Sequence, residues 1–375
     1  MSLNIVWFSW KDIKHPLAGG AEVVSDSLRK KLAANGHTVT LITASYSGAI
    51  KNEKVDNIHI HRSGGRIGVY LKAWLYYRKY LKHEPDLVID EMNTIPFFAG
   101  LYSKQRTVLL TYQLARRVWF YQMIFPFSVI GFLLEPLYLR ILATKYRLVL
   151  TESQSTKNDL VRHGFKDKCI HTFRVGMEMK SPKVIPEKNN LNTILFLGAL
   201  RPMKQPLEAV KAFEHAHKQI PSLRFIIAGD NSGKYAEKVL RYISRSTHKN
   251  AIQVLGRVDN ETKLTLLKNA ALILVTSAKE GWGLIVTEAN SQGTPAIAYD
   301  TDGLRDSVLQ NETGILVEKQ NPVKMSMSIC DLLKDRSKYE LMQTKAFAFS
   351  KQFTFSNSYE DFMKIIQGYA DEKGD

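Results

Sequence analysis

Two carboxylates eight positions apart, Glu280 and Glu288, frame the turn Glu280-Gly-Trp-Gly-Leu284. The turn follows an apolar run over 270–275, which has the composition of a buried parallel strand. A short amphipathic helix over about 284–291 comes after it. Gly281 and Gly283 let the backbone approach a ligand closely. A strand that ends in a glycine turn and opens a helix suits a phosphate, because backbone N–H groups and the positive end of the helix dipole converge there. Neither carboxylate helps to bind phosphate, so each is suited to accept hydrogen bonds from hydroxyls. A sugar nucleotide offers both groups. Arg201 and Lys204 supply charge from a second loop, 199–206, between a strand at 193–198 and a helix at 207–218. Arg binds two oxygens at once and Lys adds a point charge, a pairing that suits a diphosphate.

The pattern around these residues decides where they stand. Strand and helix signals alternate along the chain, and 375 residues are too many for one ordinary core. The first half opens with a strand at 4–8, a loop to Gly20, a helix over 21–35 and a strand at 38–43, a βαβ unit. Gly19 and Gly20 at that helix start offer a second cradle for an anion, without the GxGxxG spacing of a dinucleotide site. Strands follow at 85–91, 107–111, 147–151 and 169–174. The polar residues Asp90, Glu91, Asn93, Tyr112 and Gln113 then fall near the carboxyl edge, where open α/β sheets bind ligands. Residues 177–190, rich in Pro, Lys and Glu, read as a linker. The alternation restarts at 193 and runs to a strand at 314–317. Two domains are expected, 1–180 and 181–354, each a doubly wound sheet.

The net charge of +16 is uneven: residues 1–180 carry 26 Lys and Arg against 14 Asp and Glu, and residues 181–375 carry 26 against 22. An anionic partner would relieve the self-repulsion of the basic half, either nucleic acid or an anionic membrane surface. Two stretches favour the membrane. Within 66–82, Tyr70, Trp74 and Tyr77 repeat at helical spacing beside Arg78, Lys79 and Lys82, the pattern of an interfacial helix or of a docked helix with a solvated basic face. Residues 118–134 hold no charged residue and are flanked by Arg116, Arg117 and Arg140. Pro126 and Gly131 interrupt this run and Glu135-Pro136 ends it, so it reads as a helix pair divided between core and lipid interface. Cys169 and Cys330 offer neither a disulfide framework nor metal-ligand spacing and fit a reducing cytoplasm. The chain runs straight into a strand from Leu3, so no signal peptide is expected. The expected location is cytoplasmic, peripheral on the inner face of the membrane.

The Glu280–Glu288 spacing, with Gly-aromatic-Gly after the first, resembles the retaining glycosyltransferases of family 4. Gly198 followed by Arg201 and Lys204 is similar to the same family's cation loop. The resemblance covers nearly all of the chain and is densest over 193–317. It implies an α/β chain of the GT-B fold, two Rossmann-like doubly wound domains facing across a cleft, with a final helix over 355–375 that packs back on the first. It implies retaining transfer of a hexose from a UDP- or GDP-sugar to a hydroxyl, with no metal and no cofactor beyond the nucleotide sugar. The basic aromatic surface of the first half points to a lipid-linked or cell-surface glycan as acceptor.

Residue by residue, the resemblance implies that Glu280 contacts the sugar and Glu288 the ribose. The backbone of Gly281, Trp282, Gly283, Leu284 and Ile285 holds the sugar and diphosphate, Arg201 and Lys204 neutralise the leaving group, and Val258 meets the base. The Gly19-Gly20 loop faces the diphosphate and acceptor. Tyr112 stands where many relatives carry a histidine; it is expected to donate a hydrogen bond to the sugar, without titrating near pH 7. Trp74, Tyr77, Arg78, Lys79, Arg116 and Arg117 are expected to meet the acceptor or membrane. The Tyr112 departure keeps an inactive, membrane-associated GT-B scaffold as an alternative. The charge keeps a nucleic-acid-binding protein as another, although no recognition motif accompanies it.

Overall fold

The computed structural model describes residues 2–188 and 190–371, and the chain divides into two units. One runs to Glu178 and resumes at Phe353; the other spans Met179–Gln352.

The first unit holds β1 Asn4–Phe8, α1 Gly20–Ala34, β2 Thr38–Thr43, β3 Asn52–Val55, β4 Ile58–Arg62, α2 Gly68–Tyr76, β5 Leu87–Met92 and α3 Ala99–Tyr102. After these come β6 Arg106–Thr111, α4 Trp119–Gln122, α5 Phe127–Ala143, β7 Leu148–Thr151, α6 Gln154–Arg162 and β8 Ile170–Thr172. The strands form one sheet, β3-β4-β2-β1-β5-β6-β7-β8, parallel except where β3 runs antiparallel to β4. All six residues of β5 are buried, as helices on both faces of a parallel sheet require. The second unit holds β9 Thr193–Leu197, α7 Pro206–Gln219, β10 Arg224–Ala228, α8 Lys234–Arg245, β11 Ile252–Gly256, α9 Asn260–Asn269 and β12 Leu272–Val275. It continues with α10 Leu284–Ser291, β13 Ala296–Tyr299, α11 Leu304–Ser307, β14 Gly314–Val317, α12 Pro322–Lys334 and α13 Arg336–Ser350. Its sheet, β11-β10-β9-β12-β13-β14, is parallel throughout. The last helix, α14 Phe355–Asp371, belongs to the first unit: Phe362 stacks on Trp7 with centroids 6.0 Å apart, and Asp361 pairs with Arg174 at 2.6 Å.

One expectation is corrected here. The pattern ends the apolar segment at Glu135-Pro136, yet α5 runs through it to Ala143. Pro136 has no N–H for the carbonyl of Phe132, and the Arg116 guanidinium donates to that oxygen instead, at 3.3 Å. Glu135 is buried and accepts from the backbone N–H groups of Ala115 and Arg116 and from the Trp119 indole, which pins the preceding turn. The stretch expected as a linker, 177–190, holds the boundary between the two units. Within it, Lys188 is buried and its ammonium donates to four oxygens of the second unit. Among the described residues, no helix is long and apolar enough to cross a membrane.

A buried polar cluster lies against β1 and β5. The Trp7 indole donates to Glu91 Oε2 at 2.7 Å, and the Arg29 guanidinium lies 3.7 Å from the same oxygen. Burial raises the pKa of Glu91 from 4.5 to about 7. The folded protein thus keeps a proton that the unfolded chain releases, so this stability is full below about pH 4.5 and is lost as pH rises through about 7. Thermal melts at pH 5 and pH 7 are expected to show wild type losing ~2 kcal/mol across that interval relative to Glu91→Gln. Parallel pH profiles would contradict the assignment.

Candidate functional site

In the second sheet β9 has β10 on one side and β12 on the other. The connections leave in opposite directions, so a crevice opens beyond the carboxyl ends of β9 and β12. The two loops at that point carry Arg201 with Lys204 and Glu280 with its glycines. They are stitched together: Ala278 N donates to Met203 O at 2.8 Å, and Thr276 Oγ1 lies 2.9 Å from the carbonyl oxygens of both Lys204 and Gln205. This holds Lys204 Nζ 2.5 Å from Glu280 Oε1, in a half-buried pair.

The other charges lie around this pair. Arg201 is exposed and reaches Asp230 at 3.4 Å, and Arg257 approaches the same carboxylate at 3.9 Å. Hydrogen bonds from Ser232, reinforced by Arg201, hold the Asp230 pKa below the ordinary value. On α10, Glu288 meets Lys263 of α9 at 2.8 Å. Each expected hydroxyl acceptor therefore sits against a lysine, which orients it.

Backbone form explains the glycines. Gly283 has φ +92° and starts α10, so the first-turn N–H groups emerge where the expected phosphate cradle lies. Gly303 has φ +78°, and a Cβ there would fall 2.4 Å from Glu280 O. Glu280 N donates to Asp302 O at 3.1 Å, so the turn after β13 braces the carboxylate from behind. Leu284, Ile285 and Val258 are half-buried, Val258 two residues beyond Gly256 at φ +72°. The Trp282 ring is buried and its indole N–H donates to Thr287 Oγ1 at 2.8 Å, so the side chain plugs the base of the turn and leaves the backbone to face the expected donor.

Three expectations in the first unit are revised. Gly19 and Gly20 are exposed at the start of α1, but a carboxylate already sits at that tip. Glu22 Oε2 accepts from Gly19 N at 2.7 Å, and Glu22 Oε1 lies 3.1 Å from Lys11 Nζ. Tyr112 is buried, with its hydroxyl 2.6 Å from Ser25 Oγ, so it faces the interior instead of a sugar. Tyr77 is a core residue whose hydroxyl lies 2.9 Å from Ser103 Oγ. Arg78, Lys79 and Arg117 are exposed, while Trp74 is half-buried under the Arg78 guanidinium. Arg116 is half-buried over the Phe132 ring.

Comparisons with known proteins agree with this architecture. Residues 178–349 match the family model described as Glycosyl transferases group 1, and residues 18–178 the model described as Glycosyltransferase Family 4. The poly(glycerol-phosphate) alpha-glucosyltransferase of Bacillus subtilis (strain 168) is 31% identical over 182 residues, which is 48% of this chain and 26% of that protein. The chain spans about half the length, or less, of the curated relatives it matches. Among solved structures, sucrose-phosphate synthase from Thermosynechococcus elongatus has a TM-score of 0.77 at 17% identity, covering 98% of this chain and 99% of that one. Anabaena HepE in complex with UDP and glucose has a TM-score of 0.72 at 16% identity, covering 98% and 100%. At these identities the structural likeness concerns the fold.

Proposed function

The chain belongs to the group 1 glycosyltransferases of the GT-B fold, and on that premise we propose that it moves a hexose from a nucleotide diphosphate sugar to a hydroxyl acceptor. The observation that carries this reading is the Lys204–Glu280 pair at the switch point of the second sheet, beside Arg201 and the tip of α10. The donor is a UDP- or GDP-sugar; the UDP and glucose bound to HepE support a uridine nucleotide. Charge separation is the main barrier. As the bond from the anomeric carbon to the diphosphate oxygen breaks, Arg201, Lys204 and the α10 N–H groups stabilise the charge gathering on the leaving group. This assigns the counter-charge to the chain itself and not to a metal ion. The acceptor oxygen bonds to the anomeric carbon on the same face, and its proton passes to the departing phosphate oxygen, which retains configuration. Glu280 orients the sugar through its hydroxyls and Glu288 holds the ribose.

The acceptor is a lipid-linked or cell-surface glycan; the poly(glycerol-phosphate) named in the Bacillus subtilis relative is a polyol polymer and supports the narrower point that the accepting group is a hydroxyl on a polymer. The exposed cations of the first unit, Arg78, Lys79 and Arg117 among them, support a peripheral position on the inner face of an anionic membrane. A thermal-shift panel of nucleoside diphosphates tests the donor site. One base is expected to stabilise the protein clearly above the others, and Arg201→Ala to weaken that binding by about 10-fold. No shift with any nucleoside diphosphate would remove the proposal.

A further inference from the structure

Helix α5 presents an unpartnered apolar stripe. Ile130, Leu133, Leu134, Leu137 and Ile141 follow helical spacing and all are exposed, Leu133 at 62%. The turn before the helix adds Ile124 and Phe125, exposed at 76% and 80%. From Phe127 to Ile141 the stripe is about 21 Å long. An apolar surface of this extent marks an interaction site.

Both ends of the stripe are cationic. At one end stand Arg117 and Arg66, the latter with its guanidinium 3.0 Å from Met123 Sδ. At the other the exposed side chains become Arg140, Lys145 and Arg147. From 116 to 147 the one carboxylate is Glu135, which is buried. Arg147 also lines a cavity of about 870 Å³ together with Lys166, Lys168, His171 and Lys364. Asp361, on the same wall, is already committed to Arg174 through both oxygens, at 2.6 and 2.7 Å. Gly164, two residues before Lys166, stands against α5: a Cβ there would lie 4.0 Å from Arg140 Cγ and from Ala143 Cβ.

The charge pattern selects the occupant. A second copy docking through the same stripe would set cations against cations whether the two helices ran parallel or antiparallel. Nucleic acid would satisfy the cations and leave the leucines in water. An anionic bilayer satisfies both, with acyl chains against the stripe and headgroups against the basic ends. We propose that this face docks on an anionic phospholipid bilayer, with α5 lying in the interface and the Arg147–Lys166–Lys168–Lys364 cavity holding a headgroup phosphate. It deepens the peripheral placement proposed above and is independent of the transfer chemistry.

Vesicle flotation of the full chain tests it, with phosphatidylcholine alone and with phosphatidylcholine mixed with phosphatidylglycerol. Wild type is expected to bind the mixed vesicles more tightly by at least ~10-fold. Leu133→Ser/Leu137→Ser is expected to lose binding to both vesicles. Lys166→Glu/Lys168→Glu is expected to lose only the preference for the anionic lipid, and inorganic phosphate is not expected to release the wild type. The nucleotide thermal shift of each variant should match wild type, which confirms folding and separates this result from the donor site. No flotation with any vesicle would overturn the docking surface. Anionic preference untouched by Lys166→Glu/Lys168→Glu, or release by free phosphate, would overturn the headgroup cavity. A Leu133→Ser/Leu137→Ser variant that lost self-association while keeping vesicle binding would assign the stripe to a second copy instead.

Discussion

Glu280→Ala is expected to lower turnover by at least ~100-fold while nucleoside diphosphate affinity stays equal or becomes tighter. The two halves of this result have different causes. In the free protein Glu280 neutralises Lys204 at 2.5 Å, so the lysine meets an incoming diphosphate with part of its charge already engaged. Removing the carboxylate frees that charge for the phosphates, and ground-state nucleotide binding does not suffer. The sugar then loses the group that fixes its hydroxyls, and the anomeric carbon is no longer held within reach of the acceptor oxygen on the leaving-group face. Misplacement of that kind acts on the transition state. A factor of 100 corresponds to about 2.7 kcal/mol, the scale of one or two charge-assisted hydrogen bonds. Calorimetric titration of the nucleoside diphosphate together with transfer and donor-hydrolysis rates decides it. Unchanged turnover would remove Glu280 from the chemistry. Weaker nucleotide binding with proportionally reduced turnover would make its role the support of the turn, since its backbone N–H is tied to Asp302 O.

The donor site is legible in the sequence because its signals are local. A strand, a glycine turn and a helix announce themselves within the twenty residues from Leu272 to Ser291, and Arg201 with Lys204 must emerge at the carboxyl end of β9. Side-chain direction is less local. In α2 the buried positions are Val69 and Ala73, and the stripe continues to Tyr77 just beyond it. Small residues thus set the inward face and take Tyr77 with them, while Ile67, Leu71 and Leu75 point outward. Reading the large aromatics as one face and the cations as the other misses this. Tyr112 turns inward because Ser25, from a helix 87 positions earlier, supplies a buried partner that no spacing rule reveals. The β3–β4 hairpin escapes notice because Asn-Glu-Lys-Val lacks the apolar alternation of a strand and serves as a polar sheet edge. The helix break expected at Pro136 fails for the same reason: Arg116 lies twenty positions upstream, and only the folded chain brings it to the orphaned carbonyl.

Lys188→Met is expected to destabilise the second unit by about 3 kcal/mol, although its position has the composition of a tether. The ammonium donates to Leu267 O at 3.2 Å, Lys268 O at 2.7 Å, Gln292 O at 3.2 Å and Thr294 Oγ1 at 2.7 Å. Three of these are carbonyls at the C-terminal ends of α9 and α10, groups that helices leave without an internal partner. Burial, with the Lys268 charge adding to it, lowers the lysine's pKa to about 7, so the comparison is made at about pH 6, where the amine is protonated. Methionine keeps the stem and its packing but donates nothing, so the buried carbonyls lose their cap. For a unit of this size the loss corresponds to a melting temperature about 6–12 °C lower. α10 carries Glu288, and its N-terminus forms the phosphate cradle, so the same substitution is also expected to blunt the thermal shift given by nucleoside diphosphates. A fall of less than about 2 °C would show that water replaces the ammonium at the helix ends. A full fall with an intact nucleotide response would confine Lys188 to stability and detach it from the site.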